Sequence, residues 1–131
     1  MSVELSWASA EKTLICWQVQ APWTWEEFDH GWSDCHAMAR SVTHQVDCLM
    51  DARSFGFVPK NMLQMIYDRY MILPSNLGIV VILGAPTMMK VIIDVMRIIK
   101  PETFSRYHLS PALRKPTASS HRNMCASPNI P

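Results

Sequence analysis

The chain reads as an α/β domain with a central mixed, mainly parallel sheet flanked by helices, in the order ββαβαβαβ. Three observations predict this. Two segments near the start, residues 3–8 and 13–20, carry the period of two that marks a strand. After them, strand-like segments alternate with segments whose apolar residues recur every three to four positions, which requires crossover connections and hence parallel pairing. The run LGIVVIL at residues 77–83 is apolar throughout and rich in β-branched residues, as in a strand covered on both faces.

In the first strand candidate, Val3, Leu5 and Trp7 share one face and Glu4 and Ser6 the other. The second, TLICWQVQ, is rich in β-formers, and the polar stretch 9–12 between them suits a hairpin turn. Pro22 ends the pair. In PWTWEEF, Thr24 and Glu27 have capping-box spacing, and Phe28, Trp32, Cys35 and Ala39 continue as one apolar stripe, predicting a helix over 25–41. Residues 46–50 predict a buried strand ending at Asp51, and residues 51–58, DARSFGFV, a loop. Pro59 suits the first position of a second helix that runs through Met62, Ile66, Tyr67 and Tyr70. After the 77–83 strand, Gly84 and Ala85 turn the chain. Pro86 opens a third helix with Met89, Ile92, Ile93, Met96 and Ile99 inward, and Pro101 closes it. Residues 104–109 predict a last short strand. Residues 1–110 thus form one domain, and 111–131, with four of the nine prolines and no apolar period, read as a flexible tail.

Composition narrows the function. With 131 residues, 49% of them hydrophobic and 18% charged, the chain can build one core. A net charge of +1 argues against a broadly basic nucleic-acid binder. The longest apolar window is far short of the ~20 residues that span a membrane. The opening residues lack the pattern of a signal peptide. Four cysteines are too few for a disulfide scaffold, so Cys16, Cys35, Cys48 and Cys125 are expected as thiols in the cytoplasm.

No catalytic motif appears. The chain has no GxSxG elbow, and its four glycines make neither a dinucleotide nor a phosphate loop. His30, Cys35, His36, His44 and Cys48 lack zinc-ligand spacing and read as core thiols and surface histidines. The expectation is a non-enzyme with no metal and no cofactor. Five tryptophans fall within the first 32 residues, and Trp23 and Trp25 flank a helix start. They either staple that helix to the hairpin or leave one ring exposed as an interface anchor.

The loop Asp51–Pro59 is the most informative segment. It joins the carboxyl end of a strand to a helix start, a place where α/β sheets bind ligands and unpaired N–H groups favour anions. Ser54 is its hydroxyl, and Gly56 permits a tight turn. Either it is a recognition loop or an ordinary connection in which Asp51 caps backbone groups.

The element order, with the segments PWTWEEF, VDCLMDARSFGFVPKN and NLGIVVILGAPTMMKVIIDVMRIIKP, resembles the STAS superfamily, in its SpoIIAA-like branch of bacterial anti-sigma-factor-antagonist relatives. The resemblance covers about residues 3–110. It implies a non-enzymatic regulatory module that binds a protein partner of the switch-kinase or sigma-regulator type, without nucleic acid or a membrane span. Some relatives bind nucleotides or lipids. It also implies phosphorylation of a hydroxyl at the start of the second helix. That position falls near Phe57–Lys60, which has none, and leaves Ser54 as the candidate. The partner surface so implied comprises Asp51, Ser54, Phe55, Gly56, Phe57, Pro59, Lys60 and Asn61, with Phe55 and Phe57 as anchors where they point outward. The family's closing helix has no counterpart in the proline-broken tail, which would bare apolar surface and favour a homodimer. The alternative is a carrier or sensor for a small apolar or anionic ligand, held in a groove lined by Met62, Met65, Met88, Met89 and Met96.

Overall fold

The computed structural model describes residues 2–111. Its elements are β1 (Val3–Trp7), β2 (Leu14–Gln20), α1 (Trp25–Arg40), β3 (Val46–Ser54), α2 (Met62–Arg69), β4 (Leu77–Leu83), α3 (Thr87–Ile99), the single turn α4 (Pro101–Phe104) and β5 (Tyr107–Ser110). The five strands form one sheet in the order β1-β2-β3-β4-β5. β1 and β2 run antiparallel, and every later neighbour is parallel. The α/β class with a mixed, mainly parallel sheet is therefore observed. The predicted tail, residues 111–131, lies outside the described residues save for Pro111.

The hairpin closes through Ala8 N–H donating to the Leu14 carbonyl at 2.9 Å. Lys12 takes a left-handed φ of 57° in the turn. The capping box of α1 is complete. Thr24 Oγ1 accepts from Glu27 N–H at 3.1 Å, and Glu27 Oε1 accepts from Thr24 N–H at 2.9 Å. Two boundaries differ from expectation. β3 runs on to Ser54 rather than ending at Asp51, because Asp51 and Arg53 point away from the helical layer and pair with each other at 2.6 Å while Ala52 points into the core. α2 begins at Met62 with Asn61 as its cap residue, so Pro59 lies ahead of the helix rather than at its first position.

Flanking by helices is one-sided. When each strand lies beside its predecessor and the crossovers keep their usual right hand, every crossover helix lands on the same face. The burial pattern agrees. Phe28 and Cys35 of α1, Met62 and Ile66 of α2, and Met89, Ile93 and Met96 of α3 share a core with the sheet residues Ile15, Trp17, Cys48, Val80 and Ile82. The opposite parity of the strands supplies a separate cluster, with Cys16, Leu49 and Leu83 buried and Ala8, Leu14 and Val81 against them. Among the described residues no helix covers that second face. Cys16 is disulfide-bonded, which corrects the expectation of thiols throughout. Cys35 and Cys48 are free thiols, and Cys125 lies outside the described residues. Among the described residues no helix is long and apolar enough to cross a membrane.

Candidate functional site

The segment after β3 is short and firmly held. Ala21 N–H donates to the Ser54 carbonyl at 2.8 Å, and Phe55 N–H to the Ala52 carbonyl at 3.2 Å. Phe55 turns inward and is 1% exposed, so it is a core residue and not an outward anchor. Its ring lies 4.8 Å from Trp23, and its carbonyl accepts from Trp23 Nε1–H at 3.0 Å. Trp23 in turn meets Trp25 edge-on at 4.9 Å. The two tryptophans thus fasten the start of α1 to this loop rather than to the hairpin, and both stay partly exposed.

Gly56 reverses the chain at φ +81°, a region where a side chain is strained. The next residue, Phe57, is 99% exposed. A free phenyl ring loses favourable burial free energy, roughly 2 kcal/mol against a covered one. Lys60 and Asn61 are exposed beside it at the start of α2, and Pro59 is partly covered. Leu63 and Tyr67 on α2, and Met88 near the start of α3, also present large apolar side chains to solvent.

Asp51 and Ser54 come together elsewhere. The pairing of β2 with β3 slips between Gln18 and Gln20. At the slip a polar notch of about 60 Å³ is lined by Gln18, Gln20, Asp51 and Ser54. The Arg53 guanidinium donates to both Asp51 oxygens, at 2.9 and 2.6 Å. The hydrogen bond to Asp51 raises the Arg53 pKa above its ordinary value. Ser54 ends a strand, seven positions ahead of the α2 cap residue, so a phosphate there would lie on the sheet edge rather than on the first turn of α2. The eight expected residues therefore divide in three: Asp51 and Ser54 in the notch, Phe55 in the core, and Gly56, Phe57, Pro59, Lys60 and Asn61 along the outer loop.

Sequence reasoning missed the cluster that fixes α1 to α2. The Tyr70 hydroxyl donates to Asp29 Oδ1, and Arg69 pairs with Asp29 Oδ2 at 2.6 Å. The Tyr70 ring lies 5.1 Å from Phe28 and 5.1 Å from Trp32. Burial and the Asp29 carboxylate raise the Tyr70 pKa above the phenol range. Tyr70 at a helix end, polar at its tip and apolar in its body, was the available signal.

The histidines serve local contacts. His36 Nε2 meets the Ile72 carbonyl at 3.1 Å and His44 Nε2 the Lys12 carbonyl at 2.8 Å. Among the described residues no three His, Cys, Asp or Glu side chains converge as metal ligands. Strand order also bears on the site. Open α/β sheets bind ligands where the strand order reverses. An order that runs straight from β1 to β5 has no such reversal, so the carboxyl ends of the strands form no crevice of that kind. What the loop offers instead is a convex, apolar projection. In comparisons with known proteins, no family model, no curated protein and no solved structure matches this chain.

Proposed function

We propose that the chain is a non-enzymatic interaction module of the STAS-like, SpoIIAA-like kind, which docks a regulatory protein on the loop Gly56–Asn61. The observation that carries this is Phe57: a fully exposed phenyl on a backbone held by Trp23, Phe55 and Gly56. Aromatic anchors that need little ordering on contact dominate binding energy at interfaces. Lys60 and Asn61 are exposed polar residues beside it in the chain, and Leu63 and Tyr67 are further exposed apolar side chains on α2. The partner class is a switch kinase or sigma-regulating protein, and self-association through the same patch belongs to this reading. Ser54 is the candidate phosphorylation residue. Its exposure and the nearby Arg53 favour a phosphate, and the Asp51 carboxylate opposes one. The cytoplasm is the proposed setting, supported by the free thiols Cys35 and Cys48, with the Cys16 disulfide counting against it.

The test is site-directed photo-crosslinking in the cells that make the protein, with the photoreactive residue at 57 and, as control, at position 98, where Ile98 is also largely exposed. A regulatory protein captured at 57, not at 98, and lost on Lys60→Glu is the expected result. Equal capture at both positions, or none at 57, overturns the reading.

A further inference from the structure

Cys16, Leu49 and Leu83 are buried on the sheet face that carries no described helix, at 1%, 3% and 3% exposure. Mainly parallel sheets ordinarily have cover on both faces, and side chains in the middle of a bare face stay open to water. The apolar neighbours packed against the three are Ala8, Leu14 and Val81. They belong to the sheet or to its hairpin end, so they flank the cluster and do not roof it. The cover is also local. Ile79 lies on the same face two residues before Val81 and is 42% exposed.

The chemistry of Cys16 points to what the cover is. Cys16 is disulfide-bonded. Cys35 and Cys48 are free thiols on the helical side of the sheet. The sequence holds one further cysteine, Cys125, which within a single chain leaves it as the partner. Topology agrees. β5 ends at Ser110, beside Leu83, and Cys16 lies three strands away in register with Leu49, which is itself in register with Val81. A direct path from Ser110 to Cys16 therefore crosses Leu83 or Val81 and then Leu49, and leaves Ile79 aside. At ~4.8 Å per strand the crossing is about 15 Å, and the fifteen residues 111–125 can reach roughly 50 Å. Charge agrees as well. Residues 112–125 carry Arg114, Lys115 and Arg122 and no Asp or Glu, whereas Glu4 and Asp51 flank Gln18 in the row next to Cys16.

We propose that residues 112–125 lie across this face as a strap, fastened by a disulfide between Cys16 and Cys125, and that the strap buries Leu49 and Leu83. Forming the bond takes one electron and one proton from each thiol, and a low-molecular-weight disulfide accepts them and leaves as two thiols. A dithiol reverses the step, returning both protein thiols and closing into its own disulfide. The bond thus makes the cover removable, and its opening bares an apolar surface on the far side of the sheet from α1, α2 and α3. The Phe57 reading plays no part in this inference.

The test uses the full chain equilibrated with glutathione disulfide. Free thiols are blocked, the chain is digested, and linked peptides are identified by mass spectrometry. One bond, Cys16 to Cys125, is expected from a species that runs as a monomer without reductant, with Cys35 and Cys48 blocked. Cys16 found blocked, or bonded to Cys35, Cys48 or a second chain, overturns the fastening. Methyl NMR with a soluble paramagnetic agent reads the cover. Broadening at Leu49 and Leu83 should be roughly fivefold weaker than at Ile79, and that protection should be lost in Cys125→Ser, which leaves residues 2–110 unaltered. Protection that survives in Cys125→Ser overturns the fastening. Equal broadening at the three residues in the oxidised chain overturns the strap, as does protection that fades on dilution, which would assign the cover to a second copy.

Discussion

Replacing Gly56 with alanine tests how the loop that presents Phe57 is held. A Cβ built at Gly56 would lie 2.7 Å from Ala21 Cβ, an atom fixed to the backbone that cannot swing aside. Such a contact resembles an overpacked core, at about 1–3 kcal/mol. The φ of +81° adds the left-handed strain of a side chain, roughly 1–2 kcal/mol. The sum, about 3 kcal/mol, should lower the urea midpoint by about 2 M for a slope of about 1.5 kcal/mol/M. Ala21→Gly separates the two contributions. By itself it should cost about 0.5–1 kcal/mol through the freer unfolded chain. In Gly56→Ala it should recover at least about 1 kcal/mol by removing the contact, while the strain in φ remains. Matched urea denaturation of the four proteins gives the cycle. A loss below about 1 kcal/mol in Gly56→Ala, or additive effects in the double variant, would refute the reasoning.

Thr24→Ala removes one arm of the capping box and should cost about 1 kcal/mol, read as a lower denaturation midpoint. Trp23→Phe deletes the donor to the Phe55 carbonyl and should cost on the order of 1 kcal/mol, with faster amide exchange at Phe55 and Gly56 by hydrogen-exchange NMR. The raised pKa of Tyr70 means that the folded state keeps a phenol proton which the unfolded chain releases near the ordinary value of 10.0. Its contribution is therefore fully present below pH 10 and lost as pH rises above it. The midpoint should fall above that pH, and Tyr70→Phe should flatten the fall. Phe57→Ser should leave the midpoint within about 0.5 kcal/mol, since the ring touches little, and a larger loss would mean that the ring is covered.

Several features were legible because local chemistry decides them. The Thr24–Glu27 spacing satisfies helix-start N–H groups wherever it occurs, and the 77–83 run is apolar and β-branched enough to form a strand, although helices cover one face of it only and Ile79 is exposed on the other, against the expectation of cover on both. The extent of β3 was hidden. Asp51, Arg53 and Ser54 read as loop residues, and only their place on an outward face, with Ala52 inward, makes them strand. Phe55 and Phe57 sit two apart in a segment with no period, so nothing local separates a core ring from a free one. That depends on Trp23, more than 30 positions earlier. Strand order was equally out of reach, since a crossover's hand follows from strand twist but its neighbour does not.

The consecutive strand order has a consequence for how the molecule assembles. No strand has to be threaded between two that are already joined. Each strand–helix unit docks on the unit that left the ribosome just before it, so no pairing waits for a segment made later. Only the hairpin is local, and the parallel pairings, such as Leu14 with Asp47, each close a loop that holds a helix and so form more slowly, while domains build from the N-terminus during synthesis. The hairpin of β1 and β2 would act as the template edge, and every later unit would extend it by one strand. The short β5, paired among the described residues to β4 alone, would be the last of these strands laid down and the first to fray.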